Sequence, residues 1–388
     1  MLGWRSVLAV LFRVVLLGIH TYVWWRLIYQ AKLPRRWYLG LTALIVFLFL
    51  SGPVTTASRN VWPSISATFG WISLPWMALC GLTFVALVLL DVSKLVSRGA
   101  RRAVGRPAPP VSAERRQFLS RITGGAAMAI GSASVARGMV SARGEHEIVD
   151  VEITLAKLPK ALDGFSIVQL SDLHVGMTID RDFVQRVVDR TNALSPDLVA
   201  LTGDLVDGRV DDLRDEAAPL GQLRSTHGTY AVTGNHEYYS GAEPWIAELT
   251  RLGVRYLRNA HVEVAGGFTL AGVDDHTARR YIDHHGPDYQ AALAGRDPEL
   301  PTVLLAHQPR QVRRAAAHGV DVQLSGHTHG GQIWPWHYLV RIQQGGLLAG
   351  RYEHEGTQLY VTRGCGYWGP PVRLLAPLEI TRVILRAA

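Results

Sequence analysis

Cysteine is scarce in this sequence, which contains only Cys80 and Cys365 among 388 residues. Two isolated thiols exclude a disulfide framework, and they equally exclude a metal site built from clustered cysteines. We interpret both as free thiols. Any metal chemistry in this chain therefore has to use nitrogen and oxygen ligands.

Acidic residues are nearly absent from the first third of the chain. Residues 1–121 hold 15 lysines and arginines against two acidic residues, Asp91 and Glu114, which gives a net charge of +13. The remaining residues hold 25 basic and 30 acidic side chains, a net charge of −5. A nucleic-acid-binding domain would carry the basic excess on its folded part, so this distribution argues against nucleic acid as a partner.

Charged residues are also missing from long apolar stretches, namely residues 38–54, residues 71–90 and, apart from two arginines, residues 2–25. Each stretch is about long enough to cross a hydrocarbon core of roughly 30 Å. Tryptophan and tyrosine cluster near their ends, as in the aromatic belts of membrane proteins. We therefore predict a membrane region, residues 1–92, with three transmembrane helices, and a multi-pass protein of the cell membrane.

The basic residues between these stretches indicate how the chain is oriented. Loop 31–37 holds three of them and segment 92–121 holds eight, whereas loop 55–68 holds only Arg59. Because membrane proteins keep loops rich in lysine and arginine in the cytoplasm, we expect loops 31–37 and 92–121 to be cytoplasmic. The N-terminus is then outside.

Segment 93–144 is predicted to be a basic linker that contains an apolar part. Arg115-Arg116-Gln117-Phe118-Leu119 precedes the mildly apolar residues 122–136, a pattern that resembles a twin-arginine export signal placed internally, and residues 106–110 contain three prolines. Such a signal would carry the following domain to the extracytoplasmic face of the membrane. The alternative is a juxtamembrane linker before a cytoplasmic domain, and we favour export.

Five short apolar runs in the last two thirds of the chain each end in a polar residue of a metal-ligand type. The runs are predicted to be buried strands and comprise residues 165–170, 198–202, 229–233, 302–306 and 321–324. The side chains that follow them are Asp172, His174, Asp204, Asn235, His236, His307, His327 and His329. Open α/β sheets bind ligands at the carboxyl ends of their strands, and imidazole is the commonest metal ligand. We therefore expect these side chains to meet at a metal site.

The order of these blocks resembles the calcineurin-like metallophosphoesterases. The blocks are Asp-x-His at 172–174, Gly-Asp at 203–204, Gly-Asn-His-Glu at 234–237, the lone His307 and Gly-His-Thr-His-Gly-Gly-Gln at 326–332. Together with the run 363–380 they are similar to the bacterial YkuE/YaeI-type membrane-associated phosphoesterases. The resemblance covers about residues 145–388. It implies a four-layer α/β/β/α sandwich there, preceded by the α-helical transmembrane region.

The resemblance also implies a dinuclear metal centre and assigns its ligands. Asp204 would bridge the two ions; Asp172, His174 and His329 would complete the first site, and Asn235, His307 and His327 the second. A water shared by the ions would lose a proton and attack phosphorus as hydroxide. The nitrogen and oxygen ligands suit Mn²⁺, iron or Zn²⁺, and the resemblance favours Mn²⁺.

His236 would be the catalytic acid and transition-state stabiliser rather than a ligand, with Asp172 hydrogen-bonded to it. Asp207 is a candidate for a supporting carboxylate near the site. Asp274 and Asp275, which also follow a predicted strand, are interpreted as a structural turn.

The predicted function is hydrolysis of a phosphoester, of a phospholipid-like or cell-envelope substrate, by a membrane-anchored enzyme. Residues 334–340 with Tyr367 and Trp368 would form an apolar lip beside the site suited to a lipid-linked substrate, unless they are ordinary core. Alternatives are a nucleotide-sugar lipid pyrophosphatase, a non-catalytic metal-binding membrane scaffold and a transporter. The complete ligand set argues against a scaffold. Arg13, which has no evident intramembrane partner, argues against a transporter.

Overall fold

The computed structural model describes residues 4–58, 62–105 and 112–388. Arg59 and the proline-rich residues 106–110, which entered the predictions of topology and linker, lie outside the described residues. The chain divides into two compact units, Met1–Gly138 and Met139–Ala388, and each is described by itself.

The first unit is helical. Its helices are α1 Trp4–Trp24, which continues as a π-helical turn over Trp25–Tyr29, α2 Arg35–Ser58, α3 Pro63–Ala103 and α4 Ala113–Arg143. The last five residues of α4 belong to the second unit. Among the described residues, three helical stretches are long and apolar enough to cross a membrane: Val10–Tyr29, Arg35–Ser58 and Ile65–Ala103. Large apolar side chains such as Phe12, Phe47 and Leu89 are exposed on them, as lipid-facing side chains would be.

An ion pair that the sequence analysis did not anticipate lies inside this unit. Arg26 is buried and its guanidinium lies 2.9 Å from a carboxylate oxygen of Asp91 on α3. The Tyr22 hydroxyl donates to the same carboxylate at 2.7 Å. The argument against a transporter considered Arg13 alone; Arg26 has a carboxylate partner, and this pair links the end of α1 to α3.

Part of the twin-arginine-like segment is packed within the first unit. Residues 122–136 belong to α4, where a Cβ on Gly131 would stand 2.6 Å from the Thr83 hydroxyl. Arg121 donates to the Ala31 carbonyl oxygen at 2.9 Å. Glycine thus lets α4 approach α3 closely. Whether the segment acts as an export signal stays a prediction.

The second unit contains two six-stranded sheets. The first has the order β1-β12-β2-β3-β4-β5 and the second the order β10-β11-β9-β8-β7-β6. The strands of the first sheet are β1 Glu147–Leu155, β2 Ser166–Leu170, β3 Leu198–Leu201, β4 Thr229–Ala231, β5 Val254–Tyr256 and β12 Glu379–Ala387. Those of the second are β6 Ala260–Val264, β7 Phe268–Gly272, β8 Thr302–Leu305, β9 Val322–Ser325, β10 Gly350–His354 and β11 Thr357–Val361.

Helices connect and cover these strands. They are α5 Arg181–Ala193, α6 Val210–Ala217, α7 Asn235–Ser240, α8 Ala242–Arg251, α9 Tyr289–Leu293, α10 Val312–Ala317 and α11 His337–Gln343. Strands β2 to β5 are mutually parallel, and so are β7, β8, β9 and β11. The helical crossovers of the first half are the reason that the strands can run parallel.

Three apolar clusters define the layers. Ile167 of β2 packs with Val303 of β8 in a core between the sheets. Its neighbour Val168 packs with Phe183 of α5 on the other face of the first sheet, as the two-residue period of a strand requires. Leu304, Tyr289 and other residues form a third cluster on the outer face of the second sheet. The layers are helix, sheet, sheet and helix, which confirms the predicted four-layer α/β/β/α sandwich.

Candidate metal centre

The topology brings the predicted ligands to one place. Strands β2, β3 and β4 are parallel neighbours, as are β8 and β9, so the residues that follow them emerge at the same edge of each sheet. Three groups of side chains have ligand atoms within 4.8 Å of one another. The groups are Asp172 with His174 and His329, His174 with Asp204 and His236, and Asp204 with His307 and His327. The convergence expected from the sequence is present for seven of the eight side chains.

The eighth predicted side chain, Asn235, is the first residue of α7 and is buried. Its Oδ1 atom is buried and forms no hydrogen bond with any residue that the structure describes. A buried amide oxygen without a partner is costly. A cation would satisfy it, and Asn235 directly precedes His236 of the cluster.

Backbone strain is concentrated at these positions. Asp172, His174, Asp204, His327 and His329 all have φ between +52° and +72°, in the left-handed region that non-glycine residues rarely adopt. Each such residue costs of order 1–2 kcal/mol relative to ordinary backbone geometry. Strain of this kind persists where the surrounding fold holds it, and it accumulates at functional sites.

Two glycines leave room for the carboxylates. A Cβ on Gly234 would lie 2.2 Å from Asp204 Oδ1, and one on Gly326 would lie 2.3 Å from Asp172 Oδ2. No larger residue fits at either position without moving a carboxylate. This explains why glycine precedes both the Asn-His-Glu and the His-Thr-His blocks.

Asp204 stands between the two halves of the cluster. Its Oδ1 accepts a hydrogen bond from the backbone N–H of His236 at 2.8 Å. Its Oδ2 lies 3.0 Å from His307 Nε2 and 3.9 Å from His174 Nε2. One oxygen atom of this carboxylate therefore lies within 4 Å of a histidine nitrogen in each half of the cluster.

The imidazoles are oriented by partners outside the cluster. His307 Nδ1 lies 2.8 Å from the Thr202 carbonyl oxygen, so Nδ1 donates and Nε2 is left to face Asp204. His174 Nδ1 lies 3.2 Å from Asp207 Oδ1, and its Nε2 lies 3.1 Å from His329 Nε2. A carbonyl acceptor such as that of Thr202 fixes the tautomer and ring direction of a metal-binding histidine, and at His174 the Asp207 carboxylate is a close charged neighbour.

The electrostatics of the cluster favour a cation. Burial raises the pKa of Asp204, but the charges of His307 and His236 outweigh burial and hold it well below its ordinary value. Burial lowers the pKa of His307, yet the charge of Asp204 and the hydrogen bond to it raise this pKa to about 10. The carboxylate thus stabilises positive charge at the centre of the cluster. Together with the facing nitrogen atoms and the unpartnered Asn235 oxygen, this donor set fits a pair of divalent metal ions.

The hydrogen-bond partner of His236 differs from the prediction. We expected Asp172 to bond it, but His236 Nδ1 is hydrogen-bonded to Asp207 Oδ1. Asp172 instead accepts from the backbone N–H of His327 at 2.9 Å and lies 3.5 Å from His329 Nε2. Burial lowers the pKa of His236, whereas the charges of Asp204 and Asp207 raise it to about 9. Asp207 therefore supports both His236 and His174.

Glu237 positions the Asp204 loop, a role that the sequence analysis did not assign. Its carboxylate is fully buried and accepts from the backbone N–H groups of Gly234 at 2.6 Å, Asp204 at 2.9 Å and Leu205 at 2.6 Å. The loops after β3 and β4 are thereby tied together. Its place in the Gly-Asn-His-Glu block was the available signal.

Arg373 holds the loop of His329 in a similar way. The guanidinium is almost completely buried and donates to the backbone oxygens of Gly366 at 2.9 Å, His329 at 3.1 Å and Ala376 at 3.2 Å. Burial lowers the pKa of Arg373 to about 10. The residue stands in the run 363–380 that carries part of the family resemblance, but nothing in its spacing predicted this contact.

Aromatic residues border His236. The ring centroid of His236 lies 4.8 Å from that of Tyr239 and 5.8 Å from that of Trp368, and both rings are exposed. Trp334 and Trp336 are also exposed, whereas Tyr367 is buried with its hydroxyl donating to the Thr178 carbonyl oxygen. The apolar lip predicted beside the site is therefore exposed at its tryptophans, Tyr338 and Leu339 and half-buried at Pro335, His337 and Val340, whereas Tyr367 belongs to the core.

The Asp274–Asp275 turn is structural, as predicted. Asp274 forms an ion pair with Arg258 at 2.9 Å. Asp275 accepts hydrogen bonds from the Thr277 hydroxyl at 2.6 Å and from the Gln308 amide at 2.9 Å.

Comparisons with known proteins agree with this geometry. The family profile of the calcineurin-like phosphoesterases matches residues 165–331. A metallophosphoesterase of Helicobacter pylori strain J99 is 45% identical over 246 residues, 63% of this chain and 65% of that protein. A transmembrane protein with a metallophosphoesterase domain from Danio rerio is 38% identical over 339 residues, 82% of this chain and 74% of that protein.

The two-sheet sandwich and its cluster of histidines and carboxylates are those of a metallophosphoesterase, and the chain belongs to the calcineurin-like metallophosphoesterase family. Its relatives include the metallophosphoesterase YkuE of Bacillus subtilis, 32% identical over 288 residues, 70% of this chain and 98% of that protein. The three apolar helices and the relatives described as transmembrane proteins indicate membrane association.

Proposed function

We propose that this protein is a membrane-anchored phosphoesterase that uses two divalent metal ions to hydrolyse a phospholipid-like or cell-envelope substrate. The observation that carries the proposal is the position of Asp204, whose Oδ2 lies 3.0 Å from His307 Nε2 and 3.9 Å from His174 Nε2. A carboxylate in this position suits the shared ligand of a dinuclear centre, because its charge offsets the repulsion between two cations.

The remaining ligands divide between the two ions. We assign Asp172, His174 and His329 to the first and Asn235, His307 and His327 to the second, and we favour Mn²⁺ over iron or Zn²⁺. When bound, such a pair polarises the phosphoryl oxygens and lowers the pKa of the attacking water. The assignment is supported by the three groups of ligand atoms within 4.8 Å.

His236 is proposed to donate a proton to the leaving oxygen. Its Nδ1 is hydrogen-bonded to Asp207, which favours the protonated imidazole and leaves Nε2 as the donor. Its backbone N–H bonds Asp204, so the ring is held beside the centre from two directions. Because His236 also lies within 4.8 Å of His174 and Asp204, a ligand role is the alternative.

The lipid-like substrate is supported by the apolar helices of the first unit and by the exposed rings beside His236. A nucleotide-sugar lipid pyrophosphatase is the second candidate, because the exposed Tyr239 and Trp368 could also stack on a base. A non-catalytic scaffold is disfavoured by the complete ligand set.

Metal dependence tests the proposed activity. We expect full-length protein in detergent to lose hydrolysis of p-nitrophenyl mono- or diesters on chelation and to regain it when Mn²⁺ is added, with Fe²⁺ and Zn²⁺ compared in parallel. Turnover, together with metal content by mass spectrometry, is the measurement. Metal uptake without turnover of either ester would support the non-catalytic scaffold. Failure to take up metal would contradict the proposed dinuclear centre.

We further propose that the catalytic domain, residues 145–388, lies on the extracytoplasmic face and is exported through the twin-arginine-like residues 115–136 of the linker 93–144. The support is the distribution of basic residues around the apolar stretches. An alkaline phosphatase fused after residue 150 should be active only if it reaches the outer side. Replacing both Arg115 and Arg116 by lysine should reduce that activity at equal expression. A matching fluorescent fusion that is bright only in the cytoplasm, with an inactive phosphatase fusion, would contradict this orientation.

A further inference from the structure

We infer that an exposed apolar surface beside the metal centre docks onto a lipid bilayer and so admits phosphoesters that lie in the membrane interface. We call this surface the lip. It consists of Trp334, Trp336, Tyr338, Leu339, Ile342, Trp368 and Leu375. The inference rests on the proposed function, because it states that the same site takes its substrate from the lipid bilayer rather than from solution.

The exposure of the lip is unusual for apolar side chains. Leu339 is 65% exposed, Ile342 77% and Leu375 82%, and every residue of α11 is at least partly exposed. Leu375 also has φ +63°, so this leucine is held in a strained conformation while its side chain faces solvent. Single exposed apolar residues are common, but a contiguous group marks an interaction surface.

Hydrogen bonds join the two segments of the lip into one surface. The backbone N–H of Trp334 donates to Leu374 O at 3.2 Å, and that of Leu374 donates to Gln332 O at 2.9 Å. The Gln332 side chain clamps Trp368: its Oε1 accepts from the Trp368 N–H at 2.9 Å and its Nε2 donates to the Trp368 carbonyl oxygen at 2.8 Å. The exposed rings therefore stand on a fixed backbone rather than on a free loop.

The lip also borders the catalytic centre. The Trp368 ring lies 5.8 Å from the His236 ring, and the segment that begins at Gln332 follows His329 by three residues. A Cβ on Gly331 would lie 2.2 Å from His337 Cβ, so α11 packs directly on the turn of the ligand loop. A molecule held at the lip is consequently next to the proposed proton donor.

The distribution of charged residues around the lip favours a lipid bilayer as its binding partner. The second unit contains many acidic residues, yet residues 332–352 and 356–378 contain none, and Arg341 lies on α11 itself. An acid-free apolar surface with a cation on a long flexible side chain suits an interface of anionic lipids. The chain also carries three candidate membrane spans, which would keep the catalytic unit close to a bilayer at high effective concentration.

Depth-sensitive fluorescence tests the docking directly. Full-length protein with Leu339→Cys is labelled with a polarity-sensitive dye and reconstituted into vesicles of phosphatidylcholine and phosphatidylglycerol that carry a nitroxide quencher on the acyl chain. Glu299→Cys is the matched control. Glu299 is exposed and precedes the N-terminal end of β8, whereas His307 follows the C-terminal end of the same strand. Cys80 and Cys365 are buried, and protein without an added cysteine gives the background. We expect quenching and a blue shift at position 339 that exceed those at position 299. Equal signals at the two positions would overturn the inference.

Activity provides an independent readout. The exposed pair Leu339→Ser with Ile342→Ser should leave turnover of a soluble p-nitrophenyl ester unchanged and lower hydrolysis of a vesicle-borne phosphoester by about tenfold or more, since two buried aliphatic side chains contribute at least that factor. Glu299→Ser should affect neither rate. Equal losses on both substrates, or conversion of a dimer to a monomer by the serine pair, would contradict bilayer docking. If the wild type hydrolyses no ester, the proposed function fails, while the fluorescence comparison still decides the docking.

Discussion

Replacing Asp204 by asparagine is expected to release both metal ions and to lower phosphoesterase turnover by about 10³-fold or more. The amide keeps the size of the side chain and can still accept from the His236 N–H, as Oδ1 now does at 2.8 Å. It removes the negative charge from the atom that lies closest to both groups of histidines. Loss of several kcal/mol of charge stabilisation corresponds to a factor of this size. Metal content per chain and turnover with saturating Mn²⁺ are the two measurements.

The matched variant is Asp172→Asn. Asp172 belongs to a single group of ligand atoms, with His174 and His329. This change should therefore lower the affinity for one metal ion more than the affinity for the other. A graded result is therefore expected, with partial metal content in the Asp172 variant and almost none in the Asp204 variant. Two ions per chain and normal turnover in Asp204→Asn would show that the shared-ligand assignment is wrong.

The strand ends were predictable because of how buried parallel strands are made. Strands covered on both faces are nearly continuous apolar runs; β3, β8 and β9 are fully buried, and β2 is buried except at Ser166. The first polar residue after each run then marks the edge at which parallel neighbours end together. This rule alone located the positions whose side chains converge, and the family resemblance added the prediction that they divide between two ions.

The partner of His236 was not predictable in the same way. Asp207 lies beyond the end of β3, where an isolated bridge pairs Val175 with Val206 and the Asp207 N–H donates to Val175 O at 2.8 Å. This extra pairing carries Asp207 alongside His174. The sequence shows the spacing of three between Asp204 and Asp207, but the direction of the second carboxylate depends on a contact between two loops.

Helix ends and peripheral elements escaped prediction for a related reason. The apolar stretch 71–90 ends well before α3 does, at Ala103, because a helix can continue past the hydrocarbon core on basic residues. Helix α11 lacks the buried stripe that periodicity detects. Strand β10 is a short edge strand that alternates charged and partly buried residues, a pattern typical of edges and of loops alike.

Replacing His236 by alanine is the second change with a large expected effect. Turnover should fall by about 10²–10⁴-fold for an ester whose leaving group needs a proton, while metal content stays at the wild-type level. The loss should be smaller for p-nitrophenol, which leaves readily as an anion. The comparison of an alkyl and a p-nitrophenyl ester in the same variant therefore separates proton donation from a general disturbance of the site.

Asp207→Asn supplies the contrast for this experiment. Asp207 is hydrogen-bonded to His236 and lies 3.2 Å from His174 Nδ1. The substitution should therefore reduce turnover. It should also lower the affinity for one metal ion by about 10–100-fold, as for other groups beside metal-binding histidines. His236→Ala should not lower the affinity for either metal ion. If it does, His236 is a ligand in the group that it forms with His174 and Asp204, and the proton for the leaving oxygen has to come from another residue.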